Sequence, residues 1–192
     1  PENASLDEFE GMEGLSGSQF DDVLKGTHDL AADRLPTTQG GTSGYQGSLL
    51  DAAGIARIAG LQTVLGAGVT SVSDGDIILG GGGSDLITGN AGNDYIDGDR
   101  WLNVRVSVRA NADGTGAEID TADNLHELVT EMFNGTYNPG QLVIVREILE
   151  GGAAGDVDTA VFSDLVENYD ILFNGDGSVT VVHARGTMAD GT

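Results

Sequence analysis

Between residues 76 and 97 short apolar runs recur every nine positions: Ile77-Ile78-Leu79, Leu86-Ile87 and Tyr95-Ile96. Each run directly follows an aspartate, and glycine-rich polar stretches separate them. Two full copies stand side by side, Gly80 to Thr88 and Gly89 to Asp97, and both fit G-[GN]-x-G-x-D-x-U-x, with U a large apolar residue. The last three positions of such a unit suit a short strand with U pointing inward, because side chains alternate across a strand. The first six suit a turn, where glycine permits left-handed backbone and close approach. Nine residues then make half a coil and eighteen a full one, with Ile78, Ile87 and Ile96 inside. A flexible glycine linker would need neither the periodic apolar residue nor the aspartate two places before it.

The same frame returns upstream. In "LSGSQFDDVLKG", residues 15 to 26, Gly17, Asp22, Leu24 and Gly26 keep their places, while Ser18 and Phe20 replace glycines. Asp33 and Leu35 follow eleven residues later. This spacing predicts that Asp22 stacks on Asp76 and Asp33 on Asp85, with residues 36–70 leaving as an excursion. Within the excursion Leu49, Leu50, Ala53, Ile55, Ile58, Leu61, Val64 and Leu65 recur at three- and four-residue intervals. That period predicts an amphipathic helix, capped by Ser48 and ended by the glycines at 66 to 68.

After Asp99 the period changes. "RWLNVRVSVRA" alternates residue by residue and predicts a half-buried strand, with "NADGTG" as a turn behind it. "TADNLHELVTEMFNGTYNPGQLVIVREILEGG" reads as two helices, one capped by Asp123 and one begun by Pro139. The closing "DTAVFS…YDILFNGDGSVTVVHA" reads as a hairpin turning at residues 174 to 178. The expected organisation is residues 1–99 with an insertion at 36–70, flanked by residues 100–192. The expected fold is mainly β: a short parallel β-roll, an inserted helix, and a C-terminal α+β part with an antiparallel hairpin.

Charge sharpens this picture. The chain of 192 residues holds 31 acidic and 8 basic residues, a net charge of −23. Such a surface repels nucleic acid and anionic lipid and attracts cations. At 39% apolar content a core can form once that charge is neutralised. There is no cysteine, so thiolate metal sites and disulfides are excluded. No apolar run reaches the ~18 residues of a membrane span. The opening Pro1 reads as the start of an excised piece of a longer protein.

Loops one coil apart would stack at about the inter-strand spacing of ~4.8 Å, bringing Asp76 near Asp94. Stacked carboxylates and turn carbonyls repel unless a hard cation lies among them, and an oxygen-only shell suits calcium. The candidate ligands are the carboxylates of Asp22, Asp33, Asp76, Asp85, Asp94 and Asp99. The backbone oxygens of Gly80, Gly81, Gly82, Gly83, Gly89, Asn90, Ala91 and Gly92 complete the set.

Enzyme motifs are weak by contrast. No G-x-S-x-G occurs, and "HELVT" places Thr130 where a second zinc-binding histidine belongs. The number of carboxylates leaves an acid–base pair open, yet none stands in an aromatic-rich stretch, and Trp101 is the sole tryptophan.

The nonapeptides resemble the calcium-binding repeats of RTX, or haemolysin-type, proteins. The longer order "GLSGSQFDDVLKG", "GDIILGGGGSDLITG", "YIDGDRWLNVRVSV" and "NPGQLVIVREIL" resembles a region of large secreted bacterial RTX proteins of the haem-peroxidase type. The resemblance implies type I secretion, calcium-triggered folding outside the cell, and attachment to other domains of a parent protein. It carries over metal positions only, since no motif here matches a haem ligand. Ser71 to Asp74 and Asn103 depart from the repeat. The function expected is a non-catalytic calcium-binding structural module. An adhesion or ligand-binding module, or part of a polysaccharide-modifying or peroxidase enzyme, stands as the alternative.

Overall fold

The computed structural model describes residues 14–26, 50–73 and 75–186. The expectations for Asp33 and for Ser48 as a helix cap lie outside these residues. Strand outweighs helix throughout, so the protein is mainly β.

Six three-residue strands form two parallel sheets. One holds β1 (Gly14–Ser16), β5 (Ile77–Leu79) and β7 (Tyr95–Asp97), with β5 in the middle. The other holds β2 (Val23–Lys25), β6 (Leu86–Thr88) and β11 (Thr159–Val161), with β6 in the middle. The strands therefore lie at three levels: β1 with β2, β5 with β6, and β7 with β11. Leu24, Ile78 and Ile87 form a buried cluster, with Leu15 and Ile96 packed against it. These are the middle residues of their strands, where period-two alternation puts the apolar side chain on the inner face.

The two sheets differ on their outer faces. Ile77, Ile78 and Leu79 are all buried, the continuous apolar run expected of a strand covered on both sides. Their cover is the segment 50–72, through Ile55, Leu61, Leu65 and Val72, joined by Leu102 and Ile148. The outer face of the second sheet stays open, with Val23 67% and Leu86 42% exposed.

The covering segment is not the single helix that its spacing predicts. It holds β3 (Leu50–Asp51), α1 (Ala52–Ile55), α2 (Leu61–Leu65) and β4 (Ser71–Val72), with β3 and β4 paired antiparallel. Asp51 caps α1 by accepting from the Gly54 amide at 2.8 Å. Gly60 breaks the helix with φ +83°, a left-handed value favoured only by glycine. At this break the backbone docks on a neighbouring strand: the Ala59 amide donates to the Arg146 carbonyl and the Ile148 amide to that of Ala59.

Residues 100–150 build an antiparallel sheet in the order β10-β8-β9, from β8 (Arg100–Arg109), β9 (Glu118–Ala122) and β10 (Leu142–Glu150). The strand expected at β8 is present. The helix expected after Pro139 is not. Pro139–Gln141 form one 3₁₀ turn, closed by a capping box between Asn138 and Gln141, and a nine-residue strand follows. The β-branched run Val143-Ile144-Val145 favours extended backbone. Pairing from Leu142↔Val108 to Glu150↔Arg100 satisfies the backbone more fully than a short helix would. The other helical stretch forms as a 3₁₀ turn at Leu125–Leu128 and α3 (Val129–Phe133), capped by Asn124 rather than Asp123. Leu128 and Met132 cover Val106, Val108 and Ala122.

The final hairpin is β12 (Tyr169–Phe173) and β13 (Val179–His183). Thr159–Val161, expected to join it, instead pairs with β6. That strand crosses the expected division at residue 99 and returns the chain to the parallel sheets. Among the described residues no helix is long and apolar enough to cross a membrane.

Candidate metal centre

Loops stack along two edges: those joining the two strands of one level lie on the first, and those joining successive levels lie on the second. The first edge carries residues 17–22, residues 80–85, and the two ends of the long excursion 98–158. The second carries residues 89–94 and the residues around Gly26 and Asp76. The stacking follows from the registers Leu24↔Ile87 and Ile78↔Ile96.

Aspartates tie the levels together at the entry to each strand. The Asp22 amide donates to Asp85 Oδ1, the Asp85 amide to Asp158 Oδ1, and the Asp76 amide to Asp94 Oδ1, all at 2.8 Å. The carbonyls of Asp22, Asp76 and Asp85 accept from Leu86, Tyr95 and Thr159 in turn. Each aspartate carboxylate thus satisfies the amide of the level before it, and the residue after the aspartate donates to the matching carbonyl, as buried or half-buried backbone requires.

The second carboxylate oxygen faces the first glycine of its own loop. A side chain at Gly80 would collide with Asp85 Oδ2 and with the Gly98 carbonyl oxygen. At Gly26 it would meet Asp76 Oδ2 and the Gly89 carbonyl oxygen. The fixed glycine-to-aspartate spacing in the repeat is therefore a steric rule: the cradle that a Cβ would fill is lined by a carboxylate and by the carbonyl of the next level. Further along the loop, Gly81 and Gly83 take φ of +107° and +100° so the backbone can follow that of residues 18–21.

Asp85 is 2% exposed, and its Oδ2 has no hydrogen-bond donor among the described residues. Burial holds its carboxyl above the ordinary range, and the carboxylates of Asp158, Asp22 and Asp21 push the same way, against the Asp22 amide. Asp99 is also raised, by burial first and then by Asp158, Asp97, Glu150 and Asp156. The first-level loop differs. Asp22 Oδ2 accepts from the Ser18 amide at 2.7 Å and the Ser18 hydroxyl at 2.8 Å. The serine that breaks the glycine pattern supplies donors of its own.

The expected ligands fall into three groups. Asp76 and Asp94 come together, as do Asp85 and the loop Gly80 to Gly83. Asp22 stacks on Asp85 rather than Asp76, half a turn from the expected place, because β2 aligns with β6 and not with β5. On the second edge Gly89, Asn90, Ala91 and Gly92 form the turn, where the Asn90 side-chain amide donates to the Gly26 carbonyl. Asp99 lies on the first edge, beside Asp158 and Asp156. These last two were missed. The signal was "GGAAGDVDTAV", a glycine-rich prelude with Asp158 two places before Ala160; the alanine, exposed where the repeat has a large apolar residue, hid it. Among the described residues no three carboxylate or histidine side chains converge on one point, so any metal shell would depend on backbone oxygens.

No family model, curated protein or solved structure matches the chain.

Proposed function

We propose that the parallel sheets form a short calcium-stacked β-roll and that the chain is a structural, non-catalytic module of a secreted RTX-type protein. The observation that carries this reading is the buried, donor-free Asp85 Oδ2 sharing a glycine cradle with the Gly98 carbonyl. The same pairing recurs at Gly26. Two oxygens aimed at one place repel each other, and a hard cation is the group that satisfies both. The residues that would hold it are Asp76, Asp85 and Asp94 with loop carbonyls. When bound, calcium would supply the positive charge that Asp85 Oδ2 receives from no donor among the described residues. The nonapeptides support calcium over magnesium, because flexible all-oxygen loops suit the larger ion. Since the loops come together only in the folded chain, binding free energy is also folding free energy. Low calcium would leave the chain open for export, and calcium outside the cell would fold it.

The test is circular dichroism and thermal melting of the full chain in calcium and in chelator. Calcium should raise both the β signal and the melting temperature strongly. Superimposable spectra and melting curves would defeat the proposal.

A further inference from the structure

We propose that the cavity beneath residues 50–72 binds one free fatty acid of medium chain length, its tail among aliphatic side chains and its carboxylate at Arg146. The inference goes beyond the calcium reading and does not depend on it. The cavity arises from a size mismatch between two levels of the first parallel sheet. Register pairs Gly14 with Ile77 and Ser16 with Leu79. At the second level these outward positions carry large side chains that pack under the covering segment. At the first level they carry a hydrogen atom and a hydroxymethyl group. The result is a cavity of about 280 Å³, lined by Gly14 and Ser16 together with Leu50, Ile58 and Leu61. Leu102 and Ile148 extend its wall onto the antiparallel sheet. A Cβ at Gly14 would meet only the Ile77 carbonyl oxygen, at an ordinary 3.8 Å.

The wall selects the tail. Ser16 holds the one side-chain oxygen among these lining residues, and it is already used, accepting from the Leu102 amide at 3.1 Å. Such a wall takes hydrocarbon and offers nothing to a buried polar group. A dry cavity of about 150 Å³ lined by similar side chains holds benzene, so this volume suits on the order of ten carbons. Charge selects the head. Arg146 lies two positions from Ile148 on β10, so both side chains leave the same face of the strand. Arg146 is exposed, and its guanidinium has no partner among the described residues, although the chain holds 31 acidic residues. The carboxylates of neighbouring positions are engaged: Glu147 by Arg105, Asp97 by Arg100 and Asp51 by the Gly54 amide. A carboxylate at the cavity mouth therefore finds an unshared guanidinium, whose fork of donors matches it. The net charge of −23 opposes any anion at long range, but salt screens that repulsion beyond ~8 Å.

Titration calorimetry of the full chain in calcium, with sodium decanoate and with decanol, separates tail from head. Decanoate should bind at one site per chain. Arg146→Met keeps an aliphatic stem and removes the charge. It should weaken decanoate roughly 3- to 10-fold and leave decanol unchanged. Gly14→Leu has room to enter the cavity and should abolish binding of both ligands without lowering the melting temperature. Arg146→Met, at an exposed position, carries the test should Gly14→Leu fail to fold. Unchanged decanoate affinity in Arg146→Met, or in a Gly14→Leu chain that melts like its parent, would overturn the proposal. So would a full chain that binds no decanoate. Binding gained on deleting residues 1–13 would then make the chain's own first residues the occupant.

Discussion

The parallel sheets and the antiparallel sheet carry acidic residues of the same kind and handle them in opposite ways. In the antiparallel sheet Arg105 donates to Glu118 and Glu147, both at 2.8 Å, and Arg100 bridges Asp97 and Glu150. Glu118 is held below its ordinary range by Ser107 and Arg105, and Glu147 by Arg105. In the loops of the parallel sheets, Asp22, Asp85, Asp94 and Asp158 accept from backbone amides instead. Asp85 is pushed up rather than down. Among the described residues, guanidinium groups meet the carboxylates of the antiparallel sheet, while Asp85 Oδ2 meets no donor.

The largest expected effect sharpens this contrast. Chelating calcium should strip hydrogen-exchange protection from the strands at residues 77–97 and 159–161, while residues 100–109 and 142–150 keep theirs. Equal loss in both regions would merge them into one cooperative unit. Next in size, Ile78→Ala should cost about 2–5 kcal/mol in calcium-saturated melting, because Ile78 is fully buried between the sheets. A loss no greater than that of an exposed Ile119→Ala would disprove the packed interior. Gly80→Ala should cost about 1–3 kcal/mol by forcing backbone and the Asp85 carboxylate apart. Gly175→Ala, with open space around it, is the control.

The pH response should differ in sign between the regions. In the fraction of calcium-free chains whose parallel strands stay folded, the raised Asp85 and Asp99 carboxyls bind protons more tightly than in the unfolded chain, so residual protection there should grow in acid. Their destabilisation appears as pH rises from the ordinary carboxylate value through the raised folded one, and is relieved in acid. The lowered Glu118 and Glu147 act oppositely: their contribution is present above the ordinary carboxylate value and is lost as pH falls through the folded one. Exchange protection read region by region across acid pH checks both signs. A common sign in both regions would break the comparison. The smallest effect is Arg105→Met, a partly exposed network whose loss should cost less than Ile78→Ala and shrink in high salt. A loss rivalling Ile78→Ala would mean that the antiparallel sheet depends on its charges as strongly as the interior depends on packing.

Some of this was legible without coordinates. The nine-residue period placed β5, β6 and β7, the interior isoleucines, and the pairing of Asp76 with Asp94, because each rests on spacing within 22 contiguous residues. The β8 strand and the closing hairpin also followed from local alternation. Failures arose where a distant partner decided the outcome. Residues 142–150 carry apolar side chains at helix-compatible intervals, yet nine cross-strand pairs with β8 make them a strand. The helix through residue 60 is broken where Gly60 meets Ile148, 88 positions away in the chain.

What the amino-acid order determined by itself is the local unit: a glycine turn, an aspartate at its end, and one apolar residue turned inward. The cause is steric and short-ranged, since the aspartate and the glycine of one loop touch. What only the tertiary structure decided is which units stack. Asp22 meets Asp85 rather than Asp76, and the third level is completed by Asp158 and Thr159 after an excursion from residue 98. Stacking is chosen by the fit of whole strands across long loops, and loop length weighs little in that choice, since closure entropy grows only slowly with the residues enclosed.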